Sequence, residues 1–170
     1  VTGNSSGPGT CFDITTIKYD PDGAELWVAV YDGPEHADDV ASGIALDQEG
    51  NVYVVGYTER SGSNDDYITI KYNNDGMEQW TVLYDGPISG WDRALAITVD
   101  SSGNSYITGC SEGSDTGDYA TIKYDTYGNE EWVARYNGPG DYWDEANSIV
   151  LDDAGNVCVT GYSHSTYKDY

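Results

Sequence analysis

The sequence predicts an all-β fold, and three observations support this prediction. The residues that suit half-buried pleated strands are abundant, with 16 Tyr and 5 Trp against a single Phe. The 21 Gly residues suit the tight turns between such strands. A motif also recurs along the whole length of the 170-residue chain. We therefore expect many short strands joined by turns, in one domain or a piece of one.

The repeat is the strongest of these signals, because registers that begin at residues 1, 54, 107 and 159 align the entire chain. The spacings between them are 53, 53 and 52 residues. Each of the first three registers holds a Trp, a Tyr-Asp-Gly-Pro or Tyr-Asn-Gly-Pro segment, an Asp and an Asp-x-x-Gly-Asn turn. These are Trp27, Trp80 and Trp132; segments 31–34, 84–87 and 136–139; Asp39, Asp92 and Asp144; and turns 47–51, 100–104 and 152–156.

Each repeat contains four short runs with strand chemistry. In the second repeat we expect strands a, b, c and d at 41–47, 51–58, 66–73 and 78–85. In the a–b and c–d turns, we expect a type I turn followed by a Gly in the left-handed conformation. Counting back from the c–d turn pairs Tyr72 with Glu78, Ile70 with Trp80 and Ile68 with Val82. The sequence therefore predicts an Ile–Trp pair in the core of every sheet.

A four-stranded antiparallel meander repeated in tandem about every 53 residues is the unit of a β-propeller. Three runs in the second repeat are distinctive. They begin at residues 50, 66 and 78 and read Gly-Asn-Val-Tyr-Val-Val-Gly-Tyr-Thr, Asp-Tyr-Ile-Thr-Ile-Lys-Tyr and Glu-x-Trp-x-x-x-Tyr-Asp-Gly-Pro. This pattern resembles the "seven-bladed β-propeller" (SBBP) repeat family of bacterial and archaeal surface proteins, and the resemblance covers essentially the whole chain. It implies β-propeller blades and an extracellular or cell-surface location, and it implies no particular reaction.

The phase of the repeat predicts a single propeller segment in four parts. Residues 1–38 would supply strands b to d of an incomplete blade, 39–91 and 92–143 two blades, and 144–170 strands a and b of a further blade. Known propellers have four or more blades, so we expect either a fragment of a larger propeller or a chain that completes its blades with another copy. Open sheet edges are templates for pairing, and the expected product is a homo-oligomeric ring or a filament.

The charge excludes several classes of partner. The chain has 30 Asp and Glu against 7 Lys and Arg, a formal charge of −23. Such a field repels phosphate, so we expect neither a nucleic acid nor an anionic membrane surface as partner. No apolar run reaches the roughly 20 residues that span a bilayer. The same self-repulsion predicts that stability rises with salt.

The loops on one face of the disc are the candidate binding regions, because loops on a rigid scaffold often carry function. The predicted b–c loops are 4–13, 59–66, 111–118 and 163–169, and the d–a loops are 32–39, 85–92 and 137–144. Calcium is one hypothesis for the d–a loops, since it prefers several hard oxygen ligands at close spacing. The proposed ligands are Asp32, Asp38, Asp39, Asp85, Asp92, Asp141 and Asp144, with Asn137 as a further oxygen donor.

Carbohydrate is the alternative ligand, because exposed aromatic faces stack on sugars while nearby carboxylates accept hydroxyl hydrogens. The candidate residues are Trp91, Asp92, Tyr142, Trp143 and Asp144. A structural interpretation competes with this one, in which the aromatic rings pack between adjacent blades. It predicts that Trp91 and Trp143 are buried, whereas binding predicts that they surround a pocket.

Catalysis is not predicted. The Gly-x-x-x-Trp character of strand d faintly resembles quinoprotein propellers, but those enzymes need a closed ring and a basic residue for the cofactor. The arginines stand at unrelated register positions, and His36 and His164 stand in different loops. Three lysines recur in mid-strand c, where we expect buried stems and ammonium groups paired with carboxylates. These lysines are Lys18, Lys71 and Lys123.

The remaining signals are weak. Cys11, Cys110 and Cys158 occupy three different register positions, so the sequence leaves their disulfide state open and makes a zinc site improbable. Asn4 begins a glycosylation sequon, Asn-Ser-Ser, in a segment expected to be an exposed loop. No cofactor is predicted apart from calcium.

Overall fold

Thirteen antiparallel β-strands make up the part of the chain that the computed structural model describes, which is residues 1–6, 11–60, 64–114 and 116–164. These residues contain no helix. The strands are β1 Thr2–Ser5, β2 Asp13–Tyr19, β3 Glu25–Tyr31, β4 Asp39–Leu46, β5 Val52–Arg60, β6 Asn64–Tyr72, β7 Glu78–Tyr84, β8 Asp92–Val99, β9 Ser105–Glu112, β10 Gly117–Tyr124, β11 Glu130–Tyr136, β12 Asp144–Leu151 and β13 Val157–Ser163.

The strands form four successive sheets, each a meander in which neighbours along the chain pair with one another. The sheets contain β1–β3, β4–β7, β8–β11 and β12–β13. We call them blades 1 to 4. Blades 2 and 3 have four strands each, equivalent to a, b, c and d of the repeat, while blade 1 has three and blade 4 has two. The all-β fold of tandem four-stranded propeller blades is thereby confirmed.

The hairpin turns have the predicted geometry. The turn that begins at Asp47 closes with a bond from the Gly50 amide to the Asp47 carbonyl at 3.2 Å. The Asp47 Oδ1 atom also accepts hydrogen bonds from the amides of Glu49 and Asn51, at 3.0 and 2.9 Å. The turn glycines have φ between 81° and 84°, the left-handed region that favours glycine. They are Gly23, Gly50, Gly76, Gly103, Gly128 and Gly155.

The predicted pairing of Ile70 with Trp80 is wrong. Tyr72 does oppose Glu78, but the next pair is Lys71 with Trp80. Gln79 is an extra residue on β7, and the resulting β-bulge shifts every later pair by one position. Blades 1 and 3 have the same bulge, so in each blade the strand d Trp opposes the strand c Lys.

A second bulge, in strand a, explains the glycine that recurs in strand b. The pairing of β4 with β5 shifts between Ala41 and Gly43. At this point the strands approach so closely that a Cβ on Gly56 would lie 1.8 Å from the Val40 carbonyl oxygen. Blades 3 and 4 repeat this arrangement at Gly109 and Gly161, where the distance would be 2.0 Å. Any larger residue would therefore force the two strands apart.

The hydrophobic core lies between the blades. Ile14 of blade 1 packs in one cluster with Val54, Ile68 and Ile70 of blade 2. The opposite face of blade 2 packs in a second cluster with blade 3, whose members are Val55, Tyr67, Ala94, Ile107, Ala120, Ile122 and Tyr124. Blade 2 thus buries both of its faces against its neighbours, which is the packing of a propeller.

The b–c connections are shorter than predicted. The β5–β6 ladder continues as far as the pair Arg60–Asn64, and the β9–β10 ladder as far as Glu112–Gly117. At least half of the residues expected in each of the loops 59–66 and 111–118 are therefore strand. The expected b–c loop at 163–169 lies outside the described residues after His164. The d–a loops lie where they were predicted, and each ends at the Asp that opens the next strand a.

Candidate functional site

Two triads of carboxylates lie at the joints between successive blades. Joint 1 consists of Asp13, Asp32 and Asp39, and joint 2 of Asp66, Asp85 and Asp92. Within each triad, one oxygen from every residue lies within 4.8 Å of the others. The first Asp belongs to strand c, at or near its start, and the second follows strand d of the same blade, while the third opens strand a of the next blade. Each triad therefore spans two blades.

The third residue of each triad is the buried one. Asp39 and Asp92 are 1% and 0% exposed. Their Oδ2 atoms accept hydrogen bonds from the Gly33 and Gly86 amides at 2.6 and 2.9 Å. Their Oδ1 atoms are buried and have no partner at hydrogen-bond geometry, although the hydroxyls of Thr58 and Ser111 lie beside the two carboxylates and help to lower the pKa of Asp39 and Asp92. A buried carboxylate oxygen in this position costs free energy unless a proton or a cation neutralises it.

The electrostatics of the triads agree with this geometry. Burial raises the pKa of Asp39 and of Asp92, although hydrogen bonds oppose the shift. Burial, reinforced by the charge of Asp85, raises the pKa of Asp66 to about 6. The basic side chains beside the triads are largely exposed. His36 Nδ1 lies 2.8 Å from Asp32 Oδ2 and Arg60 Nη1 lies 3.6 Å from Asp66 Oδ2.

The third joint has the same framework but a different set of charges. Its equivalent residues are Asp118, Asn137 and Asp144. Asp144 is fully buried, accepts a hydrogen bond from the Gly138 amide and has an Oδ1 atom without a partner. Asn137 is neutral, and Asp118 is paired with Arg135, whose Nη2 lies 3.2 Å from its Oδ2. Joint 3 therefore lacks the triad of carboxylates.

The structure brings together only some of the predicted calcium ligands. Asp32 meets Asp39, and Asp85 meets Asp92, as part of the two triads. Asp38 lies elsewhere, because its Oδ1 accepts a hydrogen bond from the Phe12 amide at 2.9 Å. Asp141 accepts one from the Asn137 side chain at 3.0 Å. Both were predicted ligands, and neither belongs to a triad.

Asp13 and Asp66 are the ligand candidates that sequence reasoning missed. They precede their d–a loops by about twenty residues, so spacing alone does not connect them. A signal was nevertheless present, since Asp13, Asp66 and Asp118 share one register position. In an antiparallel hairpin the start of strand c lies beside the end of strand d, which places this Asp next to the loop.

The aromatic residues proposed for carbohydrate differ in their surroundings. Trp91 and Tyr142 are 49% and 47% exposed. Trp143 is half-buried and packs on blade 3, where a Cβ on Gly117 would meet its ring at 3.1 Å. The Arg93 guanidinium lies 5.3 Å from the centre of the Trp91 ring. The candidate carboxylates of this set, Asp92 and Asp144, are buried at the joints.

A second contact between blades explains the recurring Trp and Lys. Trp27 Nε1 donates a hydrogen bond to the Asn74 carbonyl in the c–d turn of the next blade at 3.0 Å, and Lys18 Nζ donates to the same oxygen at 3.3 Å. Trp80 and Lys71 bind the Thr126 carbonyl in the same way, at 3.1 and 3.2 Å. The expected pairing with carboxylates is thus wrong for these two lysines. The third recurring lysine, Lys123, does pair with a carboxylate, that of Glu131, at 2.6 Å.

The remaining predicted features have clear locations. All three cysteines are free thiols, and burial raises the pKa of Cys110 to about 12. Asn4 lies in β1 rather than in a loop, and its side-chain oxygen accepts a hydrogen bond from the Ala41 amide of the next blade at 2.9 Å. Among the described residues, no helix is long and apolar enough to cross a membrane.

The fold and the repeated joints define a protein built of β-propeller repeats, and comparisons with known proteins agree. Residues 35–59 match the model of the family described as "Beta-propeller repeat", SBBP, which confirms the resemblance noted from the sequence. The chain is also similar to an uncharacterized WD repeat-containing protein of Acanthamoeba polyphaga mimivirus, with 24% identity over 145 residues. The match covers 85% of this chain but 8% of that protein. Together these findings support a propeller-type interaction module, and repeat families of these two kinds are typically non-catalytic.

Proposed function

We propose that this chain is a structural and interaction module of the cell surface, which binds a second copy of itself through the open faces of its terminal blades. The resemblance to repeats of surface proteins supports the location. Protease treatment of intact source cells tests it, because a surface protein is cleaved while the cells stay sealed. No reaction is proposed, and the absence of catalysis stays a prediction.

The observation that carries the proposal is an exposed apolar face on blade 1. Leu26, Val28 and Val30 of β3 are 57%, 46% and 58% exposed. Val30 occupies the register position of Leu83, which packs against blade 1, and Val28 that of Val133, which packs against blade 2. The same positions are therefore used for blade-to-blade packing inside the chain.

The other end of the chain offers a complementary surface. Val150 and Tyr162 of blade 4 are 56% and 42% exposed. Tyr162 occupies the register position of Cys110, which is 2% exposed between blades 3 and 4. One end thus presents the front face of a blade and the other end a back face. Contacts of this kind join copies head to tail, which gives a ring if the rotation closes and a filament if it does not.

Light scattering coupled to size exclusion tests the proposal over a range of concentrations. We expect a mass that is a multiple of 18.5 kDa and that rises with concentration. The double variant Val28→Lys with Val30→Lys should remain monomeric, because charged side chains cannot be buried against an apolar face. A matched control is Met77→Lys with Tyr127→Lys, which makes the same change of charge at exposed positions on the hairpin turns.

Two results would overturn self-association. One is a mass of 18.5 kDa for the unmodified chain at every concentration, which would assign the open faces to further blades of a longer polypeptide. The other is equal dissociation by the control pair, which would show that added positive charge rather than the β3 face is responsible.

A further inference from the structure

We propose that joints 1 and 2 each bind one calcium ion, which connects one blade to the next. The ligands are Asp13, Asp32 and Asp39 at joint 1. At joint 2 they are Asp66, Asp85 and Asp92. The proposal is independent of self-association, because both triads lie between blades of one chain and not at its open ends.

The donor atoms select calcium by their chemistry. Each triad offers only carboxylate oxygens, which are hard ligands. Calcium binds oxygens at about 2.3–2.6 Å, so two oxygens on one ion are at most about 5 Å apart. The triad oxygens, all within 4.8 Å of one another, satisfy that limit. Structural zinc sites use Cys or His ligands instead, and magnesium keeps several waters in place of an all-protein cage.

The burial of one oxygen per triad is a second, independent observation. Asp39 Oδ1 and Asp92 Oδ1 lack partners although their residues are almost completely buried. The glycine amides hold the Oδ2 atoms and thereby fix the orientation of each carboxylate. A cation bound by the triad would neutralise these buried carboxylates.

The third joint sets the expected stoichiometry. Asp144 has the same partnerless oxygen, so this feature alone does not make a site. Joint 3 lacks the second carboxylate, because Asn137 replaces it, and Arg135 pairs with the first, that of Asp118. We therefore assign two calcium ions to the described residues and none to joint 3.

The net charge favours binding as well. At −23, the chain concentrates divalent cations near its surface. The two basic side chains beside the triads, those of His36 and Arg60, leave room for an ion, since they are 75% and 48% exposed. Both can turn toward solvent when a cation enters.

Calorimetric titration of the chelator-treated chain with calcium chloride tests the inference. We expect two ions per chain. The variant Asp85→Asn copies joint 3 at joint 2 and should reduce the number to one, and Asp32→Asn should do the same at joint 1. Both positions are exposed, so neither change disturbs the core. The matched control is Asp141→Asn, an exposed d–a loop carboxylate outside the triads, which should keep two ions.

Thermal unfolding gives a second measurement on the same proteins. Calcium at 100 times its Kd should raise the melting temperature of the unmodified chain by at least about 5 °C. The combined variant Asp32→Asn with Asp85→Asn should lose this shift, while magnesium at equal concentration should give a smaller one. No binding heat with the unmodified chain, or two ions in Asp85→Asn, would overturn the proposal. Light scattering does not bear on it, so failure here and failure of self-association are separate results.

Discussion

Single aspartates in this chain fall into two groups with opposite electrostatic behaviour. In the hairpin turns, burial raises the pKa of Asp47, but hydrogen bonds from Asn51, Glu49 and Tyr53 outweigh it, and the pKa lies below its ordinary value. Asp100 behaves in the same way. For Asp39 and Asp92 at the joints, by contrast, burial outweighs the hydrogen bonds and raises the pKa. Asp47 and Asp100 therefore stabilise the fold as anions, whereas Asp39 and Asp92 need a counterion or a proton.

The turn group predicts a loss of stability in acid. Because the folded pKa of Asp47 is below its unfolded value of about 3.9, the unfolded chain binds more protons between the two. The stabilisation is complete above about pH 5 and is lost as the pH falls through the folded pKa. The variant Asp47→Asn keeps the turn, since Asn73 accepts the same two backbone bonds at 3.0 and 2.9 Å in the next turn.

We expect Asp47→Asn to be less stable than the unmodified chain by up to about 1 kcal/mol at pH 7, because it loses charge-assisted hydrogen bonds. At pH 3 the difference should shrink. Urea unfolding at the two pH values measures it, and Asp47→Ala, which also loses the backbone bonds, should cost more at both. A difference of the same size at pH 7 and pH 3 would contradict the role of the charge.

Among the elements, hairpins with the same turn differ in what they contact. The Gly76 turn receives Trp27 of the preceding blade, and a Cβ on Gly76 would lie 2.6 Å from that ring. Gly155 has the same φ of 81°, and a Cβ there would meet nothing within 4 Å. The two glycines therefore separate the cost of the backbone conformation from the cost of blade packing.

Gly155→Ala should destabilise the chain by about 1–2 kcal/mol, because a left-handed conformation strains any residue with a Cβ. Gly76→Ala should cost about 1–3 kcal/mol more, since the ring of Trp27 must also move. Equilibrium unfolding in denaturant measures both. Equal losses in the two variants would show that the contact between Trp27 and the turn contributes little.

The sequence predicts the elements well because their signals are local. The four strands predicted for the second repeat agree with β4–β7 to within two residues at each end. The pairing register of strands c and d was harder to predict, since the bulge at Gln79 does not alter the hydrophobic pattern of the sequence. The joints were only partly predictable. The d–a loops pointed to Asp39 and Asp92, but their meeting with Asp13 and Asp66 depends on how one blade packs against the next.

For the whole molecule, the excess of acidic groups is the dominant long-range force. With 30 acidic against 7 basic side chains, most carboxylates have no opposite charge to pair with. Their repulsion is weaker in the expanded unfolded chain than in the folded one, so it lowers the free energy of unfolding. Calcium at the joints would act on two local clusters, whereas a monovalent salt screens the entire surface.

We therefore predict that sodium chloride raises the melting temperature. The Debye length falls from about 30 Å at 0.01 M to about 3 Å at 1 M, so repulsion between separated carboxylates should largely disappear over this range. Scans in the presence of a chelator should show the same rise for the unmodified chain and for Asp32→Asn with Asp85→Asn, because screening does not depend on the triads. A melting temperature that stays constant with salt would mean that the acidic groups are too far apart to destabilise the fold. A rise confined to the unmodified chain would instead place the effect of sodium at the joints.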